Sequence, residues 1–173
     1  TQPLGWFKSR PPKSKSELKG IKYRTVGLAT DLMQELGMKV TQLPGGEVVP
    51  AMERGVIDAF EFNNPTSDRR LGAQDVCKHY SLGSFHQAME SFEILFNRTK
   101  YENLPKDLQA ILKYSSEAAS SSNSWTAQKN YSEDLKNLIV KDKVRVSRTS
   151  QEVFKAQLDA WDVVADRLGK EDP

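Results

Sequence analysis

Two side chains suited to binding chemistry stand at the ends of predicted strands, Arg24 and Glu61. Ligands of open α/β sheets bind beyond the carboxyl ends of the strands, so these positions are the first candidates for a site. A planar guanidinium offers paired N–H donors that fit both oxygens of a carboxylate, and it keeps its charge at physiological pH. A strand-end arginine is also a common surface residue, and on sequence alone that plainer interpretation of Arg24 is favoured.

Acid–base chemistry would have to use one of two histidines, His79 or His86, together with Glu61. Such a pair could serve a small α/β hydrolase or transferase. The sequence contains no Gly-x-Ser-x-Gly elbow, phosphate loop or dinucleotide fingerprint to support that alternative. The single cysteine, Cys77, excludes an internal disulfide and a cysteine-cluster zinc site. We therefore expect no catalytic residue.

The elements that must hold Arg24 and Glu61 follow one repeated order of strand, helix and glycine. The predicted strands and helices alternate at 21–24, 28–36, 38–43, 47–54 and 57–62. Glycine follows or precedes these elements at Gly20, Gly37 and Gly55, where it suits the left-handed turn that ends a helix. This βαβ alternation predicts an α/β fold.

The second half of the chain is predicted to be mostly helical. Small and apolar residues recur at helical spacing from Pro105 to Ile139, through a serine-rich stretch at 115–124. That stretch could instead be a low-complexity linker, but the spacing keeps its phase and favours one long helix. We also expect strands at 91–97 and 144–146, and a last helix that begins after a Ser150 cap.

Composition limits the class of protein. The chain has 173 residues, 38% of them hydrophobic, and a formal net charge of +2, which fits one domain or part of a larger one and gives no argument for nucleic acid. The basic stretch at 8–15 contains two prolines and reads as an extended connector rather than a phosphate-binding arm. No apolar run is long enough to span a membrane. Because the chain opens without Met in an aromatic segment, we expect it to be a fragment.

Four short strings occur in a recognisable order. They are Leu-Lys-Gly-Ile-Lys-Tyr-Arg at 18–24, Pro-Gly-Gly-Glu-Val-Val-Pro-Ala-Met at 44–52, Gly-Val-Ile-Asp-Ala-Phe-Glu at 55–61, and the stretch from Phe-Asn to Leu-Pro at 96–105. Together they resemble the solute-binding subunits of tripartite ATP-independent periplasmic (TRAP) transporters of the DctP type. The likeness is to the 2-oxo monocarboxylic acid and mannitol-chloroaromatic branch, and it covers the second half of a family member.

The resemblance implies an α/β fold in which two lobes flank a cleft and a long helix runs beneath both. This chain would be the periplasmic-binding-protein-like second lobe with a mixed sheet, without most of the first lobe. Its parts would be an inter-lobe connector at 1–15, the α/β lobe at 16–104, the long spanning helix at 105–141, and a C-terminal strand and helix at 142–173.

The resemblance also assigns roles to residues. Arg24 falls on the family's carboxylate-binding arginine, and Phe85 and His86 fall where family members carry bulky aromatics that close over the ligand. Asn63 is a further candidate from its position at the strand end after Glu61, where it could instead simply start the turn. Glu61 and Phe62 replace a Glu-Trp pair whose carboxylate and main-chain oxygen hold Na⁺ or Ca²⁺, with further metal-side oxygens expected from two glutamines, Gln2 and Gln87. Phe62 departs from the usual Trp, and Gln87 from the frequent Glu, which removes one negative charge. The alternative is a purely structural ion pair between Arg24 and Glu61.

The function implied is extracytoplasmic capture of a small organic anion. The resemblance points to a periplasmic subunit that binds a 2-oxo or 2-hydroxy monocarboxylate, with Na⁺ or Ca²⁺ bridging the ligand, and delivers it to the membrane permease. No catalysis and no nucleic acid are expected. A further alternative is an interaction module, in which the long helix pairs with a second copy to form a homodimer.

Overall fold

A computed structural model describes residues 2–87 and 93–171 of the chain. Within them, six strands form one sheet in the order β3-β2-β4-β1-β5-β6. The strands are β1 Gly5–Phe7, β2 Lys22–Arg24, β3 Lys39–Thr41, β4 Ala59–Phe60, β5 His79–Leu82 and β6 Arg145–Arg148. The helices are α1 Lys15–Leu18, α2 Ala29–Glu35, α3 Gly45–Glu53, α4 Pro65–Leu71, α5 Ala73–Val76, α6 Arg98–Glu102, α7 Lys106–Val140 and α8 Gln151–Glu171.

The sheet is mixed, with one strand running against the rest. Strands β3, β2 and β4 are parallel and form the βαβ unit expected from the sequence. Strand β1 lies between β4 and β5 and is antiparallel to both, while β6 is parallel to β5. The carboxyl ends of β2, β4 and β5 therefore share one edge of the sheet, and β1 begins at that edge. The mixed α/β fold class is confirmed.

Helices cover both faces of the sheet, as its two apolar sides require. One core packs α2 and α8 against the sheet around Phe7 and Tyr23. The other lies under α3, α5 and the end of α7, around Trp6 and Tyr80, whose rings stack with centroids 4.3 Å apart. Neighbouring residues Trp6 and Phe7 enter opposite cores, which is the alternation that a strand imposes.

Strand β1 can approach β4 closely because Gly5 has no side chain. Its backbone φ is +119°, a region that residues with a Cβ rarely adopt. A Cβ at this position would collide with the backbone carbonyl of Phe60 and lie 3.0 Å from the Cα of Glu61. Gly5 is thus required for the pairing of β1 beside the carboxyl end of β4.

The long helix is confirmed, and the linker alternative for its serine-rich stretch is wrong. Helix α7 runs without interruption from Lys106 to Val140. Its C-terminal part is anchored to the rest of the fold: Leu138 is fully buried, and Arg69 of α4 pairs with Asp134 at 3.5 Å and with Asp142, just past the end of the helix, at 3.0 Å. Farther along the same helix, Trp125 is 73% exposed.

Other elements differ from the sequence-based expectation. The strand expected at 57–62 is limited to Ala59–Phe60. Residues 93–97 form no strand, and residues 91 and 92 of that predicted strand lie outside the described part of the chain. The sequence did not predict strand β5, because its neighbouring residues Tyr80 and Ser81 are both buried and it shows no alternation of apolar and polar residues.

In the described residues, no helix combines the length and apolarity needed to cross a bilayer. The division into connector, lobe and C-terminal parts stays a prediction.

Candidate functional site

Arg24 and Glu61 lie side by side at the carboxyl edge of the sheet. Strands β2 and β4 are parallel neighbours, with Arg24 level with Phe60. The backbone N–H of Glu61 donates to the carbonyl of Arg24 at 3.2 Å, which continues the ladder by one residue. Both residues are only 4% exposed. The sheet register thus brings together the two side chains selected from the sequence.

The guanidinium of Arg24 is held on one side by protein oxygens. Its Nε donates to the carbonyl of Leu43 at 2.9 Å, and its Nη1 donates to the Glu61 carbonyl at 2.8 Å and to Glu61 Oε1 at 3.4 Å. Among the described residues, Nη2 has no hydrogen-bond partner. The group is therefore fixed in orientation, and one of its three nitrogens makes no hydrogen bond to the described residues.

The two carboxylate oxygens of Glu61 have different surroundings. Oε1 accepts from the Thr25 hydroxyl at 2.9 Å in addition to Arg24. Oε2 faces the Nε2 of His86 at 3.7 Å, which is longer than a hydrogen bond. Within the described part of the chain, Oε2 accepts no hydrogen bond. Thr25 and Arg24 thus fix the carboxylate through one of its two oxygens, Oε1.

Phe62 lines the same edge beside the guanidinium. The Arg24 Cζ lies 5.9 Å from the centroid of the Phe62 ring, within the range of a cation–π contact. The ring packs against the first turn of α3, where a Cβ on Gly45 would come within 2.7 Å of it. The Gly-Gly turn that opens α3 therefore makes room for this aromatic ring, which is half-buried.

His86 lies next to Glu61, and its side chain is fully inaccessible to solvent. Its Nδ1 is 2.7 Å from the Ser84 hydroxyl, which also contacts the Gln157 amide nitrogen of α8 at 2.7 Å. The other histidine, His79, begins β5 at the opposite edge of the sheet, since it pairs with Phe7 at the far end of β1. The structure thus brings His86, and not His79, to Glu61.

Asn63 follows Glu61 in a turn that is held by a buried aspartate. The Asp68 Oδ1 accepts from the backbone N–H groups of Asn63 and Asn64 at 3.0 and 3.1 Å. Its Oδ2 accepts from Trp6 Nε1 at 2.8 Å and from the Tyr80 hydroxyl at 3.0 Å. Asp68 thereby ties the loop after β4 to β1 and β5.

The Asp68 carboxyl gives the chain a pH-dependent stability. Burial raises its pKa from the ordinary value of 3.8 to about 6, against the lowering effect of the hydrogen bonds from Trp6, Asn63 and Tyr80. Between these two values the folded state holds a proton that the unfolded chain has released. The contribution of Asp68 to the free energy of unfolding therefore falls as the pH rises from about 4 to about 6, by roughly 3 kcal/mol, and stays constant above.

Urea unfolding at pH 4 and pH 7, compared between the unmodified chain and Asp68→Asn, measures this contribution. The variant should lose the part of the pH dependence that Asp68 supplies. It should also be less stable at both values, because an amide cannot accept all four hydrogen bonds. The exposed Asp75→Asn serves as the control and should retain the full dependence. Identical pH profiles for Asp68→Asn and the unmodified chain would contradict the assignment.

The remaining predicted site residues are placed as follows. Gln2 is half-buried and precedes β1, which starts at the carboxyl edge; Gln87 is half-buried and follows His86. Phe85 is 37% exposed and packs on Phe154 of α8, with ring centroids 4.9 Å apart.

Among residues 2–87 and 93–171, no three His, Cys, Asp or Glu side chains lie close enough together to form a metal-binding cluster. A cation here would rest on a mixed set of carboxylate, carbonyl and amide oxygens, a set that suits Na⁺ or Ca²⁺.

Four polar side chains of this region were not anticipated from the sequence: Thr25, Asp68, Ser84 and Gln157. Thr25 follows directly after Arg24 and could have been found as a polar residue at the same strand end. The roles of the other three depend on contacts between distant elements: Gln157 on α8 contacts Ser84 across 73 residues of sequence, and Trp6 contacts Asp68 across 62. No local pattern signals such a contact.

Comparison with known proteins identifies the family of this chain. Residues 6–172 match the family model described as bacterial extracellular solute-binding protein, family 7. A monocarboxylate 2-oxoacid-binding periplasmic protein from Nostoc sp. is 39% identical over 109 residues, which are 63% of this chain and 30% of that protein.

Solved structures show the same fold. A TRAP periplasmic solute-binding protein from Colwellia psychrerythraea, with bound calcium and pyruvate, has a TM-score of 0.88 and 32% identity, covering 99% of this chain and 52% of that one. A second, from Pseudoalteromonas atlantica with bound sodium and pyruvate, has a TM-score of 0.86 and 28% identity, covering 99% and 52%. The chain spans about half the length of these proteins.

Proposed function

The chain belongs to the bacterial extracellular solute-binding protein family 7, and from that premise we propose that it binds a small monocarboxylate, a 2-oxo or 2-hydroxy acid. The family consists of extracytoplasmic solute-binding proteins of transporters and not of enzymes. In the proposed function, the whole protein closes around the acid, with Arg24 in the wall that this chain supplies, and hands it to TRAP permease subunits in the membrane. The periplasmic location fits the family and its solved members.

The observation that carries the proposal is the orientation of Arg24. A buried guanidinium that only balanced Glu61 would direct its donors toward that residue and the backbone. Here Nε and Nη1 do so, whereas Nη2 has no partner in the described residues. A ligand carboxylate approaching Nη2 would meet a cation already held in place, so little side-chain entropy is lost on binding.

A cation fits the same edge. Glu61 Oε2 accepts no hydrogen bond from the described residues, and the Phe62 carbonyl, Gln2 and Gln87 would add neutral oxygen ligands. When bound, Na⁺ or Ca²⁺ would supply positive charge that attracts the oxygens of the acid. The pyruvate complexes of the two relatives contain calcium and sodium, which supports this assignment.

Asn63, Phe85 and His86 stay as proposed neighbours of the ligand. The complete burial of the His86 side chain favours an indirect role for it in ligand binding.

Dimerisation through α7 stays a prediction from the sequence. The helix leaves several large apolar side chains exposed, among them Ile111, Tyr114 and Trp125. The remaining part of the whole protein or a second copy could cover them. Sedimentation of the whole protein over a range of concentrations distinguishes the two, since only a second copy gives a concentration-dependent mass.

Calorimetry on the whole protein tests the proposed function. Pyruvate and lactate should bind, with higher affinity when Na⁺ or Ca²⁺ is present, and mannitol should not, because it lacks the carboxylate that Arg24 would hold. Succinate tests whether the site accepts a second carboxylate. Binding of mannitol with no binding of any carboxylate would refute the proposal.

The cation is tested separately by Glu61→Gln. An amide keeps the size of the side chain but removes the negative charge that a hard cation needs. We expect pyruvate affinity to fall and its dependence on Na⁺ or Ca²⁺ to disappear. Asp58→Asn, a half-buried carboxylate just before β4, is the matched control and should bind as the unmodified protein does. If Glu61→Gln retained full cation dependence, the cation would have to lie elsewhere.

A further inference from the structure

A chain of buried polar side chains connects α8 to the carboxylate of Glu61. It consists of Gln157, Ser84 and His86, with exposures of 0%, 0% and 4%. The contacts are 2.7 Å from Gln157 Nε2 to Ser84 Oγ and 2.7 Å from Ser84 Oγ to His86 Nδ1. His86 Nε2 then points at Glu61 Oε2 from 3.7 Å and is buried with no hydrogen-bond partner among the described residues. An unpartnered buried nitrogen aimed at a charged group calls for an explanation.

The direction of each hydrogen bond follows from counting donors and acceptors. The backbone N–H of Phe85 donates to Gln157 Oε1 at 3.0 Å, which fixes the amide so that its nitrogen faces Ser84. Ser84 Oγ therefore accepts from Gln157, and it also accepts from the backbone N–H of His86 at 3.3 Å. A hydroxyl has two acceptor positions and one proton. Both positions are used, so the Ser84 proton goes to His86 Nδ1.

The tautomer of His86 follows. A ring nitrogen that accepts a hydrogen bond carries no proton, so the proton of the neutral imidazole is on Nε2. The opposite tautomer would demand a third acceptor position on Ser84 and would place the Nε2 lone pair against the carboxylate oxygen. The Nε2–H tautomer removes both conflicts and directs a donor at Glu61.

We propose that His86, locked as the Nε2–H tautomer by Ser84 and Gln157, is a positioning residue that orients Glu61 and is neither a metal ligand nor a ligand contact. The inference rests on the proposed function in one respect, namely that Glu61 serves a bound cation. Oε1 is held by Thr25 and Arg24, and the Nε2–H faces one side of Oε2 from 3.7 Å, close enough to attract the carboxylate without a hydrogen bond. The side of Oε2 away from His86 would then be the side that serves a cation. Because Gln157 belongs to α8, that helix contributes to the cation site without touching it.

Nuclear magnetic resonance of the ring nitrogens tests the tautomer directly on this chain. The sequence contains two histidines, so one variant, His79→Gln, assigns both sets of signals. We expect the neutral ring of His86 to show an unprotonated Nδ1 and a protonated Nε2, and Ser84→Ala to lose this preference. A proton on Nδ1 of His86 in the unmodified chain would overturn the inference.

Two substitutions at His86 separate positioning from packing. The side-chain nitrogen of Gln can take the place of Nε2–H, whereas Asn reaches only the position of Nδ1. In the whole protein, His86→Gln should bind pyruvate with nearly unchanged cation dependence, and His86→Asn should lose about 10- to 100-fold in cation affinity. His79→Asn, at the far edge of the sheet, is the control for loss of a histidine and should have no effect.

Equal cation affinities for His86→Gln and His86→Asn, with both variants folded, would overturn the positioning role. Absence of any carboxylate binding in the unmodified protein is a different result, since it refutes the proposed function while the tautomer is still decided by resonance. Normal binding together with a proton on Nδ1 refutes only the inference. The proposed function and the positioning role of His86 can therefore be refuted independently.

Discussion

Arg24→Met should lower the affinity of the whole protein for pyruvate by about 100-fold or more. Removing one member of a buried, hydrogen-bonded charge pair costs roughly 2–5 kcal/mol of binding, and about 3 kcal/mol corresponds to such a factor. The methionine keeps most of the apolar stem beside Phe62 but has no donors for a carboxylate. Calorimetric titration with pyruvate measures the loss.

Three further variants make this result specific. Arg70→Met removes an exposed arginine from the last turn of α4 and should bind normally. Arg24→Lys keeps the charge but loses the planar pair of donors, so it should bind more weakly than the unmodified protein. The double variant Arg24→Met with Glu61→Met should be more stable than Arg24→Met alone, since the single change leaves Glu61 charged, buried and unpaired. A folded Arg24→Met protein with unchanged pyruvate affinity would refute the assignment of Arg24.

Gly5→Ala is expected to unfold the chain or to cost more than about 4 kcal/mol of its stability. Two effects add: the positive φ of +119° is unfavourable for alanine, and the new methyl group collides with the Phe60 carbonyl. The collision cannot be relieved by a rotamer change, because the backbone fixes the Cβ position and the Phe60 carbonyl belongs to the backbone of the paired strand. Domains of this kind are stable by only about 5–15 kcal/mol, so the loss is a large part of the total.

Urea unfolding followed by circular dichroism measures this loss, with Gly46→Ala as the matched control. Gly46 lies in α3, and a Cβ there would meet nothing within 4 Å, so alanine should leave stability unchanged or raise it slightly. Because Gly5 also lies beside Glu61, a folded Gly5→Ala chain would be expected to bind poorly. Equal urea midpoints for Gly5→Ala and the unmodified chain would contradict the close approach of β1 and β4.

Local patterns were sufficient for the elements whose signals are contained in a single stretch of chain. The βαβ unit around β2 and β4 and the 35-residue helix α7 follow from periodicity and glycine positions. The side-by-side placement of Arg24 and Glu61 also follows, because parallel strands present their carboxyl ends together. The positions of Arg24 and Glu61 could therefore be predicted without knowledge of contacts between distant parts of the chain.

Strand β1 and the buried polar contacts depend on long-range packing, which local sequence patterns do not show. Strand β1 has three residues, all buried, and owes its conformation to β4 and β5 on either side. The Asp68 hydrogen bond to Trp6 spans 62 residues, and the contact of Gln157 with Ser84 spans 73. A serine, a glutamine and an aspartate are ordinary surface residues until the fold buries them, and composition alone cannot single them out.

The insertion of β1 between β4 and β5 has a consequence for assembly of the chain. Within the described residues, this short strand carries every strand-to-strand hydrogen bond between the trio β3-β2-β4 and the pair β5-β6. Neither group can complete its inner edge until residues near 5 have met residues near 60 and near 80, a loop closure of many tens of residues. The joining of the two groups should therefore come late in folding, and intermediates that lack it would expose two unpaired edges open to aggregation.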